Sequence, residues 1–174
     1  MPVSSAAAAT TGTLDNTMVA TLHSEIDARA AALAAEHEGK LECRRGCFGC
    51  CVDDITVFEV EAERIRSAAG TFLASASPHP PGLCAFLGNE GECRIYEVRP
   101  YVCRTQGLPL RWIDHEAEVE YRDVCELNEA VNVTELAPEQ CWSIGEVEAR
   151  LREMNGDGRR VRLRDLFVSG RCAR

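Results

Sequence analysis

The run Cys43-Arg-Arg-Gly-Cys47-Phe-Gly-Cys50-Cys51 places four thiols in nine residues. Ordinary core packing does not explain it, because adjacent cysteines and the interleaved Gly46 and Gly49 give poor apolar periodicity and a loose backbone. Such thiols read as metal ligands. Cys43, Cys47 and Cys50 share one face at helical spacing and in a loop still converge on one centre, whereas Cys51 points elsewhere unless the backbone turns sharply.

A second block holds Cys84, Cys93 and Cys103, and Cys125 follows later. A tetrahedral zinc takes four ligands. Seven clustered thiols, with Cys125 as an eighth, therefore imply either two metal ions or one polynuclear cluster with thiols to spare. An all-thiolate set selects zinc, copper(I) or an iron–sulfur cluster and excludes magnesium and calcium. Three cysteines in a run with a fourth from elsewhere is a recurring way of holding a cubane cluster, which favours [4Fe–4S] over Zn2+. Cys141 and Cys172 stand alone and read as buried structural thiols. Arg44, Arg45, Arg94, Arg99 and Arg104 lie beside the thiols, where they either offset charge and donate to sulfur or form surface ion pairs.

The 174 residues suffice for one domain with its own core, and a chain of that size needs no disulfide staples. Nineteen Lys and Arg against 28 Asp and Glu leave a net charge of -9, which offers no general attraction to nucleic acid or an anionic membrane. The first residues form neither a basic leader nor a long apolar segment, so a cytoplasmic location is expected. There the ten cysteines stay reduced, favouring metal over a disulfide framework.

Residues 1–13 are small and unpatterned and read as a disordered lead-in, with a single cysteine-cluster domain over 14–174. Met18, Val19, Leu22, Ile26, Ala30, Leu33 and Ala34 predict an amphipathic helix over 15–37 that ends near Gly39. Thr56 to Glu59 reads as a capping box opening a second helix that stops at Gly70, with carboxylates 59, 61 and 63 on its solvated side. His79 sits between prolines in an exposed loop. Gly88-Asn-Glu-Gly91 turns a small hairpin that brings Cys84 toward Cys93, and Pro100 starts a short helix carrying Cys103. Leu108–Ile113 and Val119–Tyr121 predict a hairpin with His115 at its tip. Ser143 to Glu146 reads as a second capping box, opening a helix that ends at Asn155-Gly156. The fold class is α+β: a helix-rich domain with short hairpins around a cysteine-ligated metal site.

These motifs carry a resemblance. Cys43-x3-Cys47-x2-Cys50-Cys51, then Cys84-Ala-Phe-Leu, then Cys93-Arg-Ile-Tyr96-x2-Arg99-Pro100-x2-Cys103-Arg104 resembles the CxxCxxCC, or YkgJ-like, family of zinc- or iron-chelating cysteine-cluster proteins. The first gap is three residues here where the family's name implies two. The likeness spans about residues 43–125, and it implies Cys43, Cys47, Cys50, Cys51, Cys84, Cys93 and Cys103 as the ligand pool. It further implies that Tyr96, Arg99, Pro100 and Arg104 shape the site. Bacterial flagellin lysine N-methylases are similar in this region, which implies an iron–sulfur cluster. Radical S-adenosylmethionine enzymes share the x3, x2 spacing, but their barrel needs strand–helix repeats that this chain lacks. The expected function is a metal-binding protein acting in electron transfer, sensing or as an accessory, with a protein or redox partner. The alternatives are a metal-dependent enzyme, lysine N-methylase-like or oxidoreductase, and a zinc-stabilised interaction module.

Overall fold

The long first helix, α1 (Ala6–Glu36), forms the back wall of the domain. In this computed structural model the described residues are 6–44 and 46–167. The anticipated stripe faces inward: Val19, Leu22, Ile26, Ala30 and Leu33 are buried, whereas Met18 is exposed. Residues 1–5 of the anticipated lead-in lie outside the described residues, and α1 begins earlier than the spacing indicated. Gly39, at positive φ, follows its end.

After the cysteine loop comes a short strand, β1 (Thr56–Phe58), which leads directly into α2 (Glu59–Ser75). Three expectations are corrected here. The capping reach is made by Glu61, whose carboxylate accepts from the Phe58 amide at 3.4 Å, while Thr56 lies in β1. Glu61 is buried, not solvated. The helix passes through Gly70 with a kink at Ala69, since the apolar face continues to buried Leu73.

Residues 76–100 run through turns, irregular segments and the 3-10 helix Tyr96–Val98. The turn at Gly88–Gly91 forms as expected, with Leu87 opposite Cys93 and the Arg94 amide donating to Phe86 at 2.9 Å. Short α3 (Tyr101–Arg104) starts after Pro100. The hairpin β2 (Leu110–Asp114) and β3 (Val119–Asp123) matches expectation, with Trp112 stacked on Tyr121 and His115 exposed in the connecting turn. A two-residue strand, β4 (Trp142–Ser143), lies parallel to β2. It leads into α4 (Ile144–Asn155), which ends at Gly156. Ser143 occupies the N-cap position without a side-chain cap bond, and Glu146 pairs with Arg29 instead. β5 (Arg160–Arg162) pairs antiparallel with β1.

The result is a small α+β domain, with four α-helices and two small sheets among the described residues. None of those helices is long and apolar enough to cross a membrane. Its apolar interior has two clusters, and β1 separates them by placing Val57 in one and Phe58 in the other. The first, with Ile65, Phe86, Ile95 and Phe167, includes Cys84 and carries Cys51 and Cys93 on its margin. The second, with Leu22, Ile26, Tyr101 and Trp142, packs α1 against α3 and α4. The cysteine segments therefore rest on a formed core.

Candidate metal centre

Nine cysteines fall among the described residues and all are free thiols. Cys172 lies outside them. Cys141 is buried beside Trp142, as expected of a structural thiol. The other eight divide between two neighbourhoods.

The first neighbourhood surrounds Cys43. Its thiol rests on Gly107, where an added Cβ would lie 2.1 Å from the sulfur. Gly107 also has φ +88°, so position and conformation both select glycine there. Asn128, fully buried, ties this region together: its Oδ1 accepts from the Glu42 amide at 2.7 Å, and its Nδ2 donates to the Gly107 carbonyl at 2.7 Å. Its own amide donates to the Cys125 carbonyl at 2.8 Å. Partial burial raises the Cys43 thiol pKa, and the thiols of Cys125, Cys47 and Cys50 add to the rise by their charge. The x3, x2 run is thus brought beside Cys125. Exposure is high, with Cys43 and Cys50 at the surface.

The second neighbourhood is deeper. The Cys84 amide donates to the Cys51 carbonyl at 2.8 Å, joining the two cysteine blocks through the backbone. The Phe86 amide donates to the Cys84 sulfur and the Ile95 amide to the Cys93 sulfur. Such N–H···S bonds favour the thiolate. Burial still pushes both thiols up, and it pushes Cys103 up strongly, with further contributions from the charges of Cys84 and Cys93. Cys51 is raised first by its hydrogen bond with Cys50, then by burial and by Cys84 and Cys103. The same bond brings Cys50 down to about 6. Cys50 and Cys51, adjacent in the chain, therefore stand where the two neighbourhoods meet.

Polar clamps that no motif announced hold these segments. Asp53, two residues after Cys51, accepts from the Gly82 amide at 3.0 Å and pairs with Arg164. Arg164 also donates to the carbonyls of His79 at 2.7 Å and Leu83 at 2.9 Å. Glu61 accepts from the Tyr101 amide at 2.7 Å, fixing the start of α3 two residues before Cys103, and bonds His23 at 3.1 Å. The cysteine loop itself lies on the Gly91 turn, where an added Cβ would meet the Phe48 ring at 3.0 Å.

The arginines beside the thiols chiefly lace backbone. Arg94 donates to Ala85 at 2.6 Å and Ser77 at 3.0 Å, and lies over the Phe72 ring. Arg104, buried, pairs with Asp27 and donates to Glu97 at 3.1 Å. Arg99 shares Asp27 and covers the exposed Tyr96 ring, 4.0 Å from its centroid. Arg44 pairs with Glu42 at the surface, and Arg45 lies outside the described residues. His79 bonds the Pro80 carbonyl at 3.1 Å.

The donor set fits a soft metal: every one of these groups is a thiol, and none is tied up in a disulfide among the described residues. No group of three or more Cys, His, Asp or Glu among the described residues is arranged to hold an ion. Beside Cys43 an open groove of about 480 Å³ runs between α1 and the end of α3, with Asp27, Arg99 and Arg104 in its wall.

The sequence model of a family described as "putative zinc- or iron-chelating domain" matches residues 42–141, which takes in both neighbourhoods and all of Cys43 to Cys125. That match supports metal binding by this chain. No curated protein and no solved structure matches it.

Proposed function

The chain belongs to the CxxCxxCC family, and from that premise we propose that it carries a cysteine-ligated iron–sulfur cluster on Cys43, Cys47, Cys50 and Cys125 and uses it in electron transfer, sensing or support of a partner enzyme. The observation behind this reading is Asn128, which holds the segment entering Cys43, the Gly107 turn beneath that thiol and the turn after Cys125 in one place. Three closely spaced cysteines and a fourth from a distant segment are the donor pattern of a cubane cluster. The outward position of these thiols suits exchange of electrons with a partner, and the reduced cytoplasm is the setting in which such a cluster persists. Zinc is the other ion the donors accept, and a zinc-loaded site would serve a stabilised interaction module.

Cys125→Ser and Cys141→Ser test the assignment side by side. After anaerobic preparation, Cys125→Ser loses most of the bound iron and sulfide while Cys141→Ser retains them. Equal iron and sulfide in the two variants would remove Cys125 from the centre, and stoichiometric zinc without iron or sulfide would replace the cluster with a zinc site.

A second reading rests on the groove. Its volume of about 480 Å³ falls within the range of small-molecule sites, and Cys43 lies in its wall. This favours an enzyme whose metal site faces a bound substrate, a methylase-like or oxidoreductase protein. Titration calorimetry with S-adenosylmethionine decides the first form: no heat and no rise in melting temperature would exclude it.

A further inference from the structure

The hairpin of β2 and β3 has one face that the described residues leave open. Trp112 and Tyr121 are direct cross-strand partners, and their rings stack with centroids 5.5 Å apart. Side chains alternate along a strand, so Val119 shares their face. Trp112 is 37 % exposed, Val119 41 % and Tyr121 43 %, and Leu127, just beyond β3, is 55 % exposed. We propose that this face is the docking surface for a Lys- and Arg-rich segment of a partner protein, with Trp112 and Tyr121 as the apolar anchors.

The opposite face of the hairpin is closed. There Arg111 and Arg122 pair with Glu120 at 2.7 and 2.6 Å, and Arg122 also donates to the carbonyls of Val133, at 2.9 Å, and Leu136. Those bonds draw residues 133–136 against that side and leave the aromatic side outward. β3 is also the edge of its sheet, with β2 as its single strand neighbour among the described residues. Contiguous exposed apolar surface marks interaction sites, and buried Trp and Tyr anchors supply much of the affinity at protein interfaces.

Charge decides the partner. Residues 110–140 hold nine Asp and Glu against two Arg, and so carry seven of the chain's nine net negative charges. Both arginines are engaged by Glu120. Glu116, Glu118, Asp123, Glu126, Glu129 and Glu135 are exposed, and none of them makes an ion pair among the described residues. Glu118 stands at φ 53°, a conformation that Gly or Asn adopts more easily, so the turn holds a carboxylate where the backbone disfavours one. A hairpin so charged repels a second copy of this chain, a nucleic acid and an anionic membrane, and attracts a basic polypeptide. β3 ends two residues before Cys125, so a partner seated here lies beside the first thiol neighbourhood, but the docking itself depends on no metal.

The test titrates the full chain into three fluorescein-labelled peptides, of alternating Lys and Leu, alternating Glu and Leu, and alternating Lys and Ser, read by anisotropy. The Lys–Leu peptide should bind at least about tenfold more tightly than either of the others, and more weakly as salt rises. Trp112→Ser with Tyr121→Ser should weaken it about tenfold in a chain that stays folded by circular dichroism. Glu116→Lys with Glu118→Lys, confined to the exposed turn, should weaken it while leaving the aromatic pair in place. Glu90→Lys with Glu153→Lys makes the same change of charge elsewhere on the surface and should leave the affinity as it was. Equal affinity for the three peptides, no binding of the Lys–Leu peptide, or a loss no greater in the hairpin variants than in this control would overturn the proposal. Sedimentation supplies the remaining arm: a concentration-dependent dimer of wild type that Trp112→Ser with Tyr121→Ser abolishes would give the face to a second copy and overturn the basic partner.

Discussion

The amide of Cys84 donates to the carbonyl of Cys51 across 2.8 Å. That bond joins residues more than thirty positions apart at the point where each carries a thiol. It places the second cysteine block on the first without any covalent link, and Arg164 with Asp53 repeats the attachment one layer out.

Asn128→Ala tests how far the outer thiols depend on one buried amide. The substitution leaves the buried Gly107 carbonyl and the part-buried Glu42 amide without their partner, and an unsatisfied buried group costs about 1–3 kcal/mol. Denaturant unfolding should show a loss of about 1–3 kcal/mol, accompanied by reduced iron content. Full iron retention would show that the loop places Cys43 without Asn128.

Gly107→Ala separates conformation from chemistry. A Cβ at this left-handed position costs about 1–2 kcal/mol in backbone strain and drives the Cys43 sulfur from its seat. We expect the centre that includes Cys43 to lose occupancy, read by metal analysis of the purified variant. Unaltered occupancy would mean that Cys43 ligates from another rotamer or not at all.

How much of this was legible in the residues differs by element. The stripe of α1, the Trp112–Tyr121 hairpin and the Gly156 stop of α4 all follow from local periodicity and turn chemistry, and the structure matches them. Glu61 was misread because it sits in an alternating acid series with Glu59 and Glu63; only the tertiary packing of His23 and Tyr101 around it selects that one carboxylate for burial. β4 has two residues and pairs in parallel with a distant strand, so it leaves no pattern to detect. What meets the cysteine run from elsewhere in the chain is likewise set by tertiary packing: the bonds of Asn128 and the Cys84–Cys51 backbone bond leave no local pattern in the sequence.

His23 gives stability a dependence on pH. Burial lowers its pKa below the ordinary 6.5, opposed by the Glu61 hydrogen bond and reinforced by Arg104. The unfolded chain therefore binds a proton first as pH falls. Its contribution is complete above pH 6.5 and declines from there toward the lower folded value. Urea unfolding of wild type and His23→Gln over pH 5–8 should show wild type losing more stability on the acid side. Parallel curves would contradict the assignment.

Metal removal is expected to loosen the cysteine loop around residues 43–51 first, because single turn bonds hold this stretch where α1 and α4 have their own ladders. Hydrogen exchange after chelation, with metal loss verified, should show faster exchange at Cys47 and Cys51 than in α4. Uniform protection before and after chelation would show that the fold stands without the ion.

The most direct test is anaerobic analysis of iron, acid-labile sulfide and zinc per chain in the wild-type protein, read with its absorbance spectrum. Bound iron and sulfide with broad absorbance near ~400 nm is the predicted result. Protein that holds no metal, with the cysteines from Cys43 to Cys125 freely reactive or paired as disulfides, would contradict it.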